Sequence, residues 1–420
     1  MNQINNRTAN TLQNDIVLFL MLFFTNFWSF KAYEGIPRYV LFIISYLLLF
    51  HLLWNRSYLR DKVMAKNVNF IVASLFLSCI PSIFVFGQSL YAAFAGILMV
   101  LSPILLYYLL HKWNISEQTL FKYLIFFTAV FAFLSVLQQF TYPVYLFAGR
   151  EESEYTGLLE ERMGFWRFYL FGKDFCALAL MLCFGQIMGK GRRKVLDYIL
   201  FGVCAVAIYF FLARKEIYGA ISCIVLGYLF SAKKTGLATK FVFAILMVVG
   251  YIFLSSTMVE LNMQTYEELG EGSEDFIRIM AAEHFMYEFS DNPLYYAFGS
   301  GVPGGDNELG KIITNLTENM HFYQDDCGFI GYFSRFGIIG LIIQIIAAIK
   351  IARNYKHIDL ALLLYGVWQL EECFFDFWCT NTRHTAAFAI YLYLIDKSII
   401  KNKFLEKRFI FEKRCEIVKD

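Results

Sequence analysis

Basic side chains that could bind an anion occur at two separate places in the sequence. Arg214 and Lys215 form a short polar turn between two apolar runs, and Arg278 lies in a long polar stretch further on. Guanidinium and ammonium groups hold phosphate oxygens by charge-assisted hydrogen bonds, so these residues are candidates for binding an anion such as a diphosphate. Two alternatives stay open. Arg214 and Lys215 could be a snorkelling pair neutralised by Glu216, and Arg278 could pair with Glu274 on its own helix.

A second group of residues could transfer a proton. His321 is followed by Asp325 and Asp326, directly before an apolar run. Imidazole titrates near neutral pH and is the side chain that most often serves as a general base, although a lone histidine is more often structural. Either aspartate could orient His321 or serve as the base in its place.

Further charges lie inside or beside apolar runs, where a charged side chain is costly unless it is paired or hydrated. These candidates for sugar binding or structural support are Arg335, Glu371, Glu372, Asp376 and Arg383. The three carboxylates could bind sugar hydroxyls, form salt bridges with Arg214 or Arg335, or mark a proton path. No metal-ligand spacing is present, so neither a metal nor another cofactor is expected.

The elements that must position these residues are membrane helices. Of the 420 residues, 58% are hydrophobic and only 17% are charged, too little charge for a water-facing surface. A soluble enzyme, a disordered chain and a nucleic-acid binder are therefore excluded. Apolar stretches of about 20 residues predict an all-α polytopic membrane protein. Its twelve predicted spans are 15–30, 37–54, 68–87, 89–111, 120–140, 166–189, 195–213, 216–231, 240–258, 327–349, 358–378 and 383–400.

The distribution of Lys and Arg predicts that both termini face the cytoplasm, because bases concentrate in alternate connections and in the tail. The chain then divides into transmembrane helices 1–9 over 1–258, an extracytoplasmic loop over 259–326, helices 10–12 over 327–400, and a basic cytoplasmic tail over 401–420. The long loop is strongly acidic, and Arg278 and Lys311 are its two bases. Arg214 and Lys215 also face outward in this topology, where basic residues are depleted.

Local signals predict the structure of the long loop and its surroundings. Ser273 is a helix N-cap candidate, and the helix that follows should lie on the membrane surface and end before Asn292-Pro293. The sequence 298–305 contains GxGxxG, but no strand precedes it, so we predict a flexible turn rather than a dinucleotide site. Two sets of small residues complete the pattern. Gly328, Gly331, Gly337 and Gly340 should allow close helix approach, and Cys79, Cys176, Cys183, Cys204 and Cys223 should be small core residues.

The order of these features resembles the O-antigen polymerase and O-antigen ligase superfamily, the Wzy-type polymerases of bacterial surface polysaccharides. The residues that carry the resemblance are Ala213-Arg214, Arg278, Pro293-Leu294 with Phe298 to Gly301, and His321 with Gly337 to Leu341. The stretch Gln324 to Gly328 is more similar to exopolysaccharide and capsule polymerases than to ligases, so we favour a polymerase.

The resemblance implies a GT-C-like membrane glycosyltransferase in the bacterial inner (plasma) membrane. It would join oligosaccharide repeat units of O-antigen, capsule or exopolysaccharide that are carried on undecaprenyl diphosphate, without a metal. Arg214, Lys215 and Arg278 would bind the diphosphate, and His321, Asp325 or Asp326 would activate the acceptor hydroxyl. Membrane lipid is a further partner, a chain-length regulator and a flippase are candidate partners, and nucleic acid is not one.

Two other functions remain as alternatives. An O-antigen ligase would use the same substrates, whereas a lipid-linked oligosaccharide flippase or another transporter would suit twelve spans with both ends inside. The long outer loop and the outward position of Arg214 and Lys215 favour an enzyme over a transporter.

Overall fold

The computed structural model describes ten stretches of the chain: 14–22, 38–54, 56–141, 161–162, 165–166, 172–189, 195–231, 274–303, 307–379 and 382–417. The predicted span at 240–258 and the helix cap at Ser273 lie outside these residues. So does the first part of the long loop, up to residue 273.

The described residues are almost entirely helical. The first half contains α1 (14–22), α2 (Arg38–Trp54), α3 (Ala65–Phe84), α4 (Leu90–Gly96), α5 (Leu98–Trp113), α6 (Glu117–Thr141), α7 (Lys173–Met188), α8 (Val195–Tyr209) and α9 (Arg214–Ser231). The second half contains α10 (Glu274–Glu283), α11 (Pro293–Phe298), α12 (Glu308–Met320), α13 (Gly328–Arg353), α14 (Leu360–Glu372) and α15 (Thr382–Ile417). Two antiparallel two-residue strands, β1 (Glu161–Arg162) and β2 (Phe165–Trp166), precede α7, and short 3-10 turns lie at Ser57–Leu59, Gln324–Cys327 and Tyr355–His357.

Three stretches among the described residues are long and apolar enough to cross a membrane, which makes this a helical membrane protein. They are α3, α6 and Gln324–Arg353, the last of which contains α13. Helices α4 and α5 would form a fourth span together, although they are bent by 49° relative to each other. The total of twelve spans stays a prediction.

The bend between α4 and α5 interrupts the single span predicted over 89–111. It lies beside Gly96, where a Cβ atom would come within 2.4 Å of the Val302 carbonyl oxygen. The chain that follows α11 therefore packs directly against the end of α4. This close approach brings the segment near residue 302 into the helix bundle.

The core is built from helices that are distant in sequence. Helix α5 packs on α15, α3 on α13, and α7 on α8 and α14. The five cysteines predicted as core residues are all buried and unbridged, which confirms that prediction. Large rings such as Trp368, Tyr107 and Tyr393 fill the interior.

Helix α13 is broken at Gly337, which adopts φ 67° and ψ −176°. A Cβ atom there would come within 2.3 Å of the Ala297 carbonyl oxygen, so the break accommodates the end of α11. The backbone N–H groups of Ser300 and Gly301 donate to the carbonyls of Ser334 and Arg335, at 2.7 and 3.0 Å. The turn at 298–303 is thus buried and hydrogen-bonded across α13, which corrects the expectation of a flexible turn.

Helix α14 ends at Glu372, earlier than the span predicted over 358–378. The next residues turn back to pair with the start of α13. The N–H groups of Gly328 and Phe329 donate to the carbonyls of Phe375 and Cys373, at 3.1 and 2.8 Å. These bonds satisfy backbone groups that a helix would have used internally, as the interior of a membrane protein requires.

The described part of the long loop is helical from residue 274, and this helical segment ends before Asn292-Pro293, as predicted. Helix α10 begins at Glu274 and continues as a π-helical turn over His284–Glu288, before Asn292 caps α11. The buried hydroxyl of Tyr295 donates to the Phe285 carbonyl. Burial raises the pKa of the Tyr295 phenol above its ordinary value, so this group stays protonated and the bond ties α11 to the π turn.

The last helix continues through the boundary at 400/401 between the predicted final span and the tail. Helix α15 runs from Thr382 to Ile417. Its buried Asp396 accepts hydrogen bonds from Tyr107 at 2.6 Å and from the Met64 N–H at 3.0 Å, and it lies 3.2 Å from His111. These contacts of Asp396 join α15 to α5 and to the residue directly before α3.

Candidate functional site

A cluster of five charged side chains lies where three helices meet. Lys173 begins α7, Lys215 and Glu216 lie in the first turn of α9, Glu372 ends α14, and Asp376 follows α14. Lys173 Nζ lies 2.8 Å from Glu216 Oε1 and 2.7 Å from Asp376 Oδ2. Lys215 Nζ lies 2.6 Å from Asp376 Oδ2 and 3.3 Å from Glu372 Oε2. We call these five residues the charge cluster.

Local backbone geometry brings the charge cluster together. Gly172 adopts φ 109° directly before α7, and Leu212 adopts a positive φ in the tight turn before α9. Both turns place a lysine in the first helical turn, where the amino terminus of a helix favours nearby carboxylates such as Glu216. Asp376 reaches the same place because α14 stops and its chain turns back.

A second polar group lies behind Lys173. Asp174 Oδ2 is 2.7 Å from His384 Nδ1 in the first part of α15, and Asp174 Oδ1 accepts a 3.4 Å bond from Gln369. All three side chains are buried. They join α7, α14 and α15 at the end of the bundle that carries the charge cluster.

Arg335 organises a separate polar group that we call the Arg335 cluster, made of Gln324, Asp325, Ser334 and Arg335. Its Nη1 lies 2.6 Å from Asp325 Oδ1 and its Nε donates to Gln324 Oε1 at 2.9 Å. Gln324 Nε2 in turn donates to Ser334 Oγ at 2.7 Å. These contacts connect Arg335 to the 3-10 turn before α13, and its role in sugar binding or structural support stays a prediction.

Asp326 connects the predicted site residues. It lies within electrostatic reach of Lys215 and Asp376 of the charge cluster and of Arg278 on α10. Its neighbour Asp325 is instead engaged by Arg335. Asp325 therefore belongs to the Arg335 cluster, whereas the neighbouring Asp326 interacts electrostatically with the charge cluster and Arg278.

His321 lies apart from the contacts of the charge cluster. It caps the end of α12 with φ 58° and its side chain is exposed. The next residue, Phe322, is buried and packs near the ring of His284. The His321 imidazole is thus exposed at the end of α12. Its left-handed backbone conformation is one that Asn and Gly also adopt.

The three acidic residues of α14 and its end do not share one role. Glu371 accepts bonds from the Ser222 hydroxyl at 2.6 and 2.8 Å, whereas Glu372 and Asp376 belong to the charge cluster. Glu372 and Asp376 each form ion pairs with Lys173 and Lys215. The side chains of Arg214 and Arg383 lie outside the description, although both residues are helical.

Lys173 is the main site residue that sequence reasoning missed. Its place at the start of a predicted span made it one unremarkable charge in an apolar run. Two consecutive charges, Lys173 and Asp174, directly after Gly172 were the signal that could have found it. The pairing of Glu216 also differs from the expectation, since its partner is Lys173 and not Lys215.

The cluster is built from alternating cations and carboxylates. Within the described ranges, no group of three or more His, Cys, Asp or Glu side chains is arranged to hold a metal ion. Lysines occupy the space between the carboxylates instead. The arrangement can therefore offer an ammonium group to an anion, or a carboxylate to a hydroxyl or a proton.

No protein-family model matches the chain, and no curated protein sequence matches it at a significant level.

Proposed function

We propose that this protein is a membrane glycosyltransferase that polymerises lipid-linked oligosaccharide repeat units at the outer face of the bacterial plasma membrane. The proposal includes twelve spans, a GT-C-like arrangement and cytoplasmic termini. One observation carries it: Lys215 Nζ lies 2.6 Å from Asp376 Oδ2 in a cluster built from three helices, and the charges of Lys215, Asp376 and Arg278 act on Asp326. The sequence marked these same residues for diphosphate binding, catalysis and sugar contact.

The proposed reaction transfers a glycan chain between two lipid-linked substrates. An acceptor sugar hydroxyl attacks the anomeric carbon of the donor, the bond from that carbon to the diphosphate oxygen breaks, and its electron pair leaves with undecaprenyl diphosphate. Lys215 and Arg278, together with Arg214, would stabilise the charge that develops on the leaving diphosphate. These side chains supply positive charge, so the proposal needs no divalent metal.

The acceptor proton needs a base. Asp325 is paired with Arg335 at 2.6 Å, which makes it the least available of the three candidates. His321 and Asp326 remain. His321 is exposed and carries an imidazole, the side chain that most often serves as a general base, whereas the charges of Lys215 and Asp376 in the charge cluster act on Asp326.

The position of the cations favours an enzyme over the flippase alternative. Lys173 is the first residue of α7 and Lys215 the second of α9, so both lie at helix ends. A flippase is expected to carry its charged residues along a path through the middle of its spans. Cations concentrated at one end suit a reaction at the membrane surface.

The test is the lipid-linked intermediate that accumulates when the gene is deleted. A polymerase leaves single repeat units on lipid at the outer face, where an impermeant label or glycosidase reaches them. Units confined to the inner face would indicate a flippase and contradict the proposal. Accumulation of finished polymer on lipid would indicate a ligase.

A further inference from the structure

One carboxylate oxygen in the charge cluster is shared by two ammonium groups. Asp376 Oδ2 accepts from Lys173 Nζ at 2.7 Å and from Lys215 Nζ at 2.6 Å. The cluster holds three carboxylates for two lysines, and Asp376 is the carboxylate on which both lysines have their shortest or equally short contacts.

The two lysines differ in how firmly they are held. The Lys173 side chain is 10% exposed and also contacts Glu216 at 2.8 Å and Glu372 at 3.5 Å. The Lys215 side chain is 27% exposed, and its other carboxylate partner, Glu372, is 3.3 Å away. Lys173 is thus enclosed by three carboxylates, whereas Lys215 lies at the rim beside the ring of Phe375.

Releasing Lys215 from Asp376 and releasing Lys173 from Asp376 therefore differ in energetic cost. If Lys215 leaves Asp376, that carboxylate keeps its 2.7 Å bond to Lys173 and Glu372 keeps its 3.5 Å contact with Lys173, so each carboxylate retains a cationic neighbour. If Lys173 leaves, Glu216 loses its 2.8 Å ionic contact. Breaking a buried pair by removing one partner is strongly destabilising, so Lys173 is the fixed member and Lys215 the one that can move.

We propose that Lys215 exchanges partners: it is bound to Asp376 in the empty protein and moves to the diphosphate of a lipid-linked substrate when that substrate binds. Lys173 is the positioning residue that neutralises Asp376 while Lys215 is away. Asp376 therefore competes with the diphosphate for Lys215. This inference rests on the proposed function for the identity of the anion.

The exchange predicts opposite effects for two substitutions in the same cluster. Asp376→Asn removes the competitor and should tighten diphosphate binding. Lys173→Met leaves Lys215 as the remaining close cation on Asp376, so Lys215 is retained there and binding should weaken. A cluster with a purely structural role predicts weaker binding for both variants.

The measurement is the dissociation constant of farnesyl diphosphate, a short lipid diphosphate, for the purified full-length protein in detergent. We expect Asp376→Asn to bind several-fold more tightly than the unsubstituted protein, and Lys173→Met and Lys215→Met to bind about tenfold more weakly, the effect of losing one charge-assisted contact. Lys350→Met is the matched control. That lysine donates to the neutral Asn67 away from the charge cluster, so its substitution should leave the constant unchanged.

A second variant covers the case in which Lys173→Met does not fold. Lys173→Met combined with Glu216→Gln removes one charge of each sign, so the cluster keeps its net charge while Asp376 still loses Lys173. Binding by this double variant should remain weak. Thermal unfolding in the same detergent identifies which variants are folded.

The outcomes separate this inference from the proposed function. Unchanged or weaker binding by folded Asp376→Asn overturns the exchange but leaves the diphosphate site in place. Failure of the unsubstituted protein to bind farnesyl diphosphate overturns both. Tighter binding by Asp376→Asn with weaker binding by the Lys173 variants supports the exchange.

Discussion

Lys215 Nζ lies 2.6 Å from Asp376 Oδ2, across a sequence separation of 161 residues. This contact joins the first turn of α9 to the non-helical chain after α14. Ionisable groups enclosed among membrane helices are costly and commonly mark a functional site. The same contact makes the charge cluster important for folding, because breaking it would leave buried charges with fewer partners.

Lys173→Met should destabilise the protein. The substitution leaves Glu216 and Asp376 with less positive charge around them, and breaking a buried ion pair in this way costs about 3–5 kcal/mol. Adding Glu216→Gln removes the carboxylate that is left without its partner and should recover part of that loss. The apparent unfolding temperature in detergent measures both effects. Equal stability of Lys173→Met and the unsubstituted protein would show that the cluster is not a folding constraint.

Gly337→Ala should also destabilise the protein, for a backbone reason. The residue has φ 67°, and an added Cβ would come within 2.3 Å of the Ala297 carbonyl oxygen. Positive φ alone costs a non-glycine residue about 1–3 kcal/mol, and the clash adds to it. Gly202→Ala is the control, because a Cβ there meets nothing within 4 Å. Similar unfolding temperatures for the two variants would contradict the break in α13.

Local features of the fold could be predicted from the sequence, whereas the pairing of distant charges could not. The end of the helical segment formed by α10 and the π turn follows from Asn292-Pro293, a signal within a few residues. The partners of Lys173 at positions 216 and 376 have no such local signal, since any carboxylate at the same membrane depth would have suited the pattern.

The same limit explains two of the helices whose course differed from the prediction, α13 and α14. Apolar runs at 327–349 and 358–378 indicate membrane depth but not backbone continuity. Helix α13 breaks at Gly337, and α14 stops at Glu372, because other segments supply hydrogen-bond partners for the released backbone groups. Those partners are fixed by tertiary packing. The glycine pattern did predict close approach at 328 and 337, and the structure confirms it at both.

His321→Asn should abolish polymer formation without loss of protein from the membrane. Asparagine tolerates the left-handed conformation of this residue, so the substitution removes the imidazole and preserves the cap of α12. His284→Asn is the control. His284 lies in the π-helical turn after α10, and the substitution should leave polymer formation unchanged. Chain-length analysis of surface polysaccharide in complemented deletion strains gives the readout. Normal chains with His321→Asn would remove His321 from the mechanism and leave Asp326 as the base.

Arg214→Ala and Arg278→Ala should each abolish polymer as well, because each removes a cation that the proposal assigns to the diphosphate. Arg278→Lys is the informative intermediate. It keeps the charge near Asp326 but loses the forked geometry that suits phosphate, so we expect activity to fall without disappearing. Membrane fractions probed for the protein show whether each variant is present. Full activity of Arg278→Ala would exclude Arg278 from substrate binding.

The most direct test of the central claim is the product formed by purified protein in liposomes that contain an undecaprenyl-diphosphate-linked repeat unit. We predict glycans of two or more joined units and release of undecaprenyl diphosphate, and neither product with Lys215→Met. A repeat unit that stays single, or that crosses the bilayer without being joined to another, would contradict the assignment as a polymerase.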